Sequence, residues 1–207
     1  MRSTVINSDI IPVFMRVLIV CGSADPEGTT ASMCRVAEDA VRECGSVPEI
    51  VFPGGMRIGH CTGCEGCRGG ECVIDDDMRA VSEAFERSDL VILASPIHFS
   101  GPSSLIKTVM DRFQFYWCSG RIHGGRIAAM LCGGSPEPRF HCAVYIMRAF
   151  SITLGMEWCG HLETSHTDGE GFVLPEDEIR MFVKDLLRSS RERCCPRTPR
   201  PGSRSFP

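Results

Sequence analysis

Apolar runs of strand length alternate with segments of helical period from about residue 13 to residue 193. That alternation is the pattern of an α/β fold built on a parallel sheet. Five strands are predicted, at 13–21, 48–52, 90–95, 126–132 and 156–161. The first, third and fourth are almost continuously hydrophobic, as strands covered on both faces are, whereas the second and fifth read as edges. Helices are predicted at 30–44, 78–87, 103–115, 139–154 and 176–193; in the last, Ile179, Phe182, Val183, Leu186 and Leu187 recur at helical spacing. The arrangement expected is a flavodoxin-like five-stranded parallel sheet, order 2-1-3-4-5, with helices on both faces. A truncated Rossmann unit would give nearly the same pattern. In either, a ligand lies beyond the carboxyl ends of the strands where strand order reverses. The irregular segments 53–77 and 95–102 are therefore expected to carry chemistry.

Length and composition set the frame. The chain has 207 residues, enough for one domain with a full core, and two domains are not expected. No apolar run reaches the roughly 18 residues of a membrane helix, and the stretch before Met15 contains Asp9 and Pro12, unlike a signal peptide. A cytoplasmic protein is expected, with no membrane partner. A net charge of -4 provides no general attraction to nucleic acid either. The expected organisation is a disordered extension at 1–14, an ordered domain at 15–193 and a disordered basic tail at 194–207. Met15, near the start of the first strand, is an alternative start of translation. Thirteen cysteines without a secretory leader fit a reducing compartment, with metal on thiolates, better than a disulfide scaffold. Cys21, Cys34, Cys44 and Cys132, on apolar faces, read as small core residues.

Three segments carry candidate chemistry. After the first strand, Gly22, Ser23, Gly28, Thr29 and Thr30 lead straight into a helix, whose amide groups and dipole suit a phosphate monoester. A plain loop with a threonine cap is the bland alternative. Neither a dinucleotide fingerprint nor a Walker-type loop is present. Next, Cys61, Cys64, Cys67 and Cys72 are spaced C-x2-C-x2-C-x4-C among Gly63, Gly66, Gly69 and Gly70. Such a run lets one short loop wrap a 4Fe-4S cubane. Zinc, or thiols serving packing or redox sensing without metal, remain open as alternatives. Third, Ser95, Pro96, Ile97, His98 and Phe99 close the third strand with a loop able to lie along a flat ring, and Gly133 and Gly134 with Ser135 face it from the fourth. Asp75 to Asp77 read as a helix-capping run. No Ser-His-Asp set or carboxylate pair points to hydrolysis, and no catalytic side chain is assigned.

Taken in order, the loop from Gly22 to Thr30, the cysteine run with Asp75 to Met78 behind it, Ser88-Asp89, Ser95-Pro96, and Lys107 to Asp111-Arg112 resemble the NAD(P)H-dependent FMN reductase superfamily. Within it the chain looks most similar to the iron–sulfur flavoproteins of methanogens and other anaerobes. The resemblance implies FMN, with its phosphate at Ser23, Gly28, Thr29 and Thr30 and its ring at Ser95 to Phe99. It also implies a 4Fe-4S cluster on Cys61, Cys64, Cys67 and Cys72, in a homodimer or homotetramer where one subunit's cluster lies near another's flavin. The expected function is transfer of electrons from a ferredoxin-like or NAD(P)H donor, through the cluster to FMN, to a small-molecule acceptor. An NAD(P)H-dependent FMN or quinone reductase without a cluster, and a zinc-stapled interaction module, are the competing expectations. Two positions depart from the family: Asp25 stands where arginine is common, and His98 where tyrosine is.

Overall fold

In the computed structural model, which describes residues 14–188, one twisted sheet lies between two helical layers. Its strands are β1 (Arg16–Cys21), β2 (Val47–Val51), β3 (Leu90–His98), β4 (Gly101–Pro102), β5 (Arg126–Cys132) and β6 (Glu157–Thr164). The helices are α1 (Thr29–Glu43), α2 (Met78–Glu86), α3 (Ser104–Arg112), α4 (Gln114–Ser119), α5 (His141–Thr153) and α6 (Glu176–Arg188). The five long strands are all parallel and run β2-β1-β3-β5-β6 across the sheet. With the two-residue β4 set aside, this is the expected 2-1-3-4-5. The sheet nevertheless has six strands, because β4 folds back antiparallel on the end of β3.

Strict alternation of side chains along the central strands builds two separate cores. Leu18, Val20, Val91, Leu93, Ile127, Ala129 and Leu131 face α2 to α5, while Val17, Ile19, Cys21, Ile92, Ala94, Ala128, Met130 and Cys132 face α1 and α6. Cys21, Cys34 and Cys132 are buried as expected of core residues, and Cys44 is half-buried.

Three differences from the expectation go beyond the shifts of one to three residues seen at other element ends. β3 continues to His98 and turns through Phe99 and Ser100, whose φ angles of 50° and 64° make a tight hairpin without the usual Asn-Gly. The single helix expected at 103–115 is two, α3 and α4, meeting at Phe113; the break lets Phe113, Phe115 and Tyr116 join Phe85 and Phe150 in one aromatic cluster. The capping run is led by Asp76 rather than Asp77. Asp76 Oδ1 accepts the Met78 amide while Asp77 turns away to accept the Arg57 amide. The expected extension, the tail and the end of the last helix at 189–193 lie outside the described residues.

Ser103 is the pin of the β3–α3 connection. Its hydroxyl caps α3 by accepting the Ile106 amide and donates to the Gly22 carbonyl, 2.7 Å away, while its own amide bonds Ser95 Oγ at 2.9 Å. Ser103→Ala is therefore expected to cost about 1–2 kcal/mol, read as a lowered urea midpoint at unchanged slope.

Candidate cofactor and cysteine sites

The carboxyl ends of β1, β3 and β5 present the three expected segments along one edge of the sheet. The β1 loop is drawn against β3: the Gly22 amide bonds the Ala94 carbonyl at 2.7 Å, and the Ser95–Ser103–Gly22 chain ties both loops to α3. Side chains are excluded from Gly22, where a Cβ would lie 2.3 Å from Ile106 and 2.9 Å from the Ala94 carbonyl oxygen.

At the start of α1, Gly28 occupies the cap position, and among the described residues no side chain caps the helix. The first amides of α1 are thus left for an external acceptor, and the positive end of the helix faces this loop. Ser23 Oγ accepts the Asp25 amide, and Asp25 Oδ1 in turn accepts the Glu27 amide at 2.9 Å. The Asp25 carboxylate folds back toward Gly28 instead of pointing away, with Oδ2 only 3.3 Å from where a Gly28 Cβ would sit. Arg35 secures the loop from α1 by donating to the Pro26 carbonyl and Glu27. Thr29 is half-buried, and the Thr30 hydroxyl is spent inward on Cys132 Sγ at 3.0 Å, leaving its backbone amide for the loop.

On β3, Ser95 is fully buried and Pro96 and Ile97 half-buried; His98 and Phe99 stand out into solvent. Phe99 is held at positive φ, a strained setting for a bulky residue. Gly133 and Gly134 bond through their carbonyls to the amides of Thr167 and Asp168. The Asp168 carboxylate lies over Gly134, where a Cβ would come within 2.0 Å of it. Sequence reading missed this 165–169 segment, although a polar, glycine-containing stretch just beyond the fifth parallel strand was a signal for it.

The cysteine segment does not stay at this edge. It starts there, with Gly54 against Ser23 and Ala24, and then runs along α3 to its far end. Between Ser103 and Arg112 that is roughly 13 Å of helix axis. There Cys61, Cys64, Cys67 and Cys72 all line one cavity of about 710 Å³, together with Arg112, Trp117 and a fifth cysteine, Cys118. Glu65, Gly63 and Gly70 take left-handed backbone angles that let so short a loop reverse repeatedly. Burial pushes the Cys67 thiol up, whereas the Gly66 amide, followed by the Thr62 hydroxyl, holds Cys64 below the ordinary thiol value.

Arg112 forms the floor of this region. Its side chain is 1% exposed and grips Asp76 with two nitrogens, at 2.6 and 2.9 Å, while donating to the Gly59 carbonyl at 2.8 Å. The Arg112 guanidinium holds the Asp76 carboxyl down to about 2. It also faces the Cys72 thiol, and its buried Nε has no hydrogen-bond partner among the described residues. The carboxylates that border the cavity are paired, Asp111 with Lys107 and Glu65 with Arg68. Four thiols over a buried cation with an unspent donor suit an anionic, thiolate-ligated group. Among the described residues, however, no three His, Cys, Asp or Glu side chains are drawn together tightly enough to hold a metal ion. Thiolate loops commonly close only around their metal, since ligation energy is folding energy.

A family model described as NADPH-dependent FMN reductase matches residues 15–164. An iron–sulfur flavoprotein of Archaeoglobus fulgidus is 33% identical over 142 residues, 67% of this chain and 64% of that protein. Another, from Methanocaldococcus jannaschii, is 35% identical over 99 residues, covering 47% of this chain and 51% of its own length. These matches span about half to two thirds of the relatives. Among solved structures, a flavone reductase superposes with a TM-score of 0.67 at 18% identity, covering 86% of this chain and 64% of the other, a likeness of fold. No helix among the described residues is long and apolar enough to cross a membrane.

Proposed function

The chain belongs to the NADPH-dependent FMN reductase family, and from that premise we propose that it is an FMN-dependent electron-transfer oxidoreductase carrying a 4Fe-4S cluster on Cys61, Cys64, Cys67 and Cys72. The observation that carries the cluster is that all four cysteines line one cavity together with the buried Arg112. The relatives' description as iron–sulfur flavoproteins supports it.

FMN would lie along the edge formed by the ends of β1, β3 and β5. The uncapped amides of α1, with Ser23 and Thr29, would hold its phosphate. Ser95 to Phe99 would run beside its ring, with the strained, exposed Phe99 able to cover one face. Gly133 and Gly134 would bound the site on the side of β5. When bound, the flavin exchanges one or two electrons and the cluster one, which joins donors and acceptors of different electron number. The protein's own part is to fix both groups and set their electrostatics: Arg112 lends a buried positive charge beside Cys72, and the hairpin shields the ring from water. About one helix length separates the two sites within a chain, so a homodimer or homotetramer that brings one subunit's cluster near another's flavin would shorten the path. A ferredoxin-like protein or NAD(P)H would supply electrons, and a small molecule would receive them.

A reductase without a cluster is the second reading, supported by the family match, whose description as an NADPH-dependent FMN reductase names no cluster. Both readings require FMN. Titration of flavin fluorescence is expected to show saturable quenching at about one FMN per chain; no quenching at any concentration overturns both. Asp25 makes the phosphate loop weaker than it could be. Asp25→Asn removes a like charge close to the phosphate and is expected to tighten FMN about tenfold at low salt, with the gain shrinking as salt rises. An unchanged dissociation constant would place the phosphate elsewhere.

A further inference from the structure

The cysteine cavity contains one thiol more than a cubane takes. Cys118, near the end of α4, is exposed, while Cys67 is buried in the 3-10 turn at Gly66–Gly69 that packs on α4. Their sulfurs are 3.8 Å apart. No comparable sulfur contact with Cys118 is present for Cys61, Cys64 or Cys72 among the described residues.

We propose that Cys67 and Cys118 form a disulfide when the metal-free chain meets hydrogen peroxide, so that Cys67 has two mutually exclusive fates, cluster ligand or disulfide partner. The bond rests on the geometry of the two thiols alone; the exclusion between fates rests on the cluster reading. Closing from 3.8 Å to a bond of about 2.0 Å takes a small side-chain rotation. The exposed Cys118 meets the oxidant first. Its sulfur attacks one peroxide oxygen, the O–O bond breaks, and a sulfenic acid and one water result. Cys67 sulfur then attacks the Cys118 sulfur, the S–OH bond breaks, and the departing hydroxide takes up the Cys67 proton as a second water. In total two thiols and one peroxide become one disulfide and two waters, and the two electrons pass to the peroxide. The consequence is protective. A loop that has lost its cluster is pinned to α4 with its buried thiol reversibly capped, short of irreversible oxidation.

Peptide mapping without reductant tests this. Trypsin releases Cys118 alone in peptide 113–121, Cys61, Cys64 and Cys67 together in 58–68, and Cys72 in 69–79. The full chain is stripped with a chelator, reduced, freed of reductant, treated with equimolar hydrogen peroxide, then denatured, alkylated and digested. The expected major product is 58–68 joined to 113–121, lighter by two hydrogens than the sum of the free peptides, with fragment ions placing the bridge at Cys67. Cys118→Ser abolishes it. Recovery of 113–121 as the free, alkylated peptide, or its joining to 69–79, overturns the bond. In a second arm the chain is first loaded with iron and sulfide. The joined peptide is then expected to accumulate only as iron is released; joining at full iron content overturns the exclusion and removes Cys67 from the ligand set. A chain that takes up no iron sinks the cluster reading and with it the exclusion, while the first arm still decides the bond.

Discussion

Asp76→Ala is expected to destabilise the chain by about 3–5 kcal/mol, because it leaves the Arg112 guanidinium buried without its counter-charge. Two carbonyls, those of Gly59 and Ile74, would remain as partners, too few for a planar cation with five donors. The same change frees the Gly59 and Met78 amides that Asp76 now receives, so the cysteine loop loosens at its base and α2 loses its cap. A fall in melting temperature of about 10 °C or more should follow. The pH dependence identifies the cause. The folded-state carboxyl is held at about 2, below its ordinary 3.8, by Arg112. Stability from this group is therefore fully present above the ordinary value and disappears as pH falls through about 2. Asp76→Asn should show a stability deficit that is constant at neutral pH and narrows between pH 4 and pH 2. A deficit independent of pH across that window would mean that the pair matters for packing and not for charge.

Gly22→Val is expected to cost about 3 kcal/mol and to weaken FMN binding by more than tenfold, a combined effect that overpacking at a site junction predicts. The first added carbon already falls 2.3 Å from Ile106 Cγ1 and 2.8 Å from Ser103 Oγ. Either α3 moves away from β1 or the Gly22–Ala94 bond breaks, and both displace the phosphate loop from the β3 loop. Paired urea and FMN titrations check this. Lost stability with normal FMN affinity would show that the β1–β3 clasp is structural only.

What the chain discloses before folding follows from how local each cause is. β1, β3 and β5 were legible because strands covered on both faces must be apolar at every position, as Val17 to Cys21 and Leu90 to Ala94 are. The break at Phe113 was not legible, since Phe113, Phe115 and Tyr116 continue the apolar pattern of α3 and only packing on Phe85 and Phe150 divides the helix. Phe99 and Ser100 carry no turn signature, so the sequence predicts an open loop where the β3–β4 hairpin stands. The four cysteines of the loop announced themselves by spacing. Cys118 could not, because it reaches them through α4 and not through the local chain. Asp76 was hidden among three consecutive aspartates. Which of them meets a cation depends on Arg112, 36 residues further on at the end of α3.

The central claim is that one chain holds both flavin and cluster, and the most direct test is anaerobic. The purified full chain is reconstituted with FMN, iron and sulfide, desalted, and assayed for flavin, iron and acid-labile sulfide alongside its visible spectrum. About one FMN, four irons and four sulfides per chain, with a broad shoulder over the flavin bands that dithionite bleaches, is the predicted result. Flavin bands with neither iron nor labile sulfide would contradict it, leaving an FMN reductase whose cysteine cavity holds no cluster.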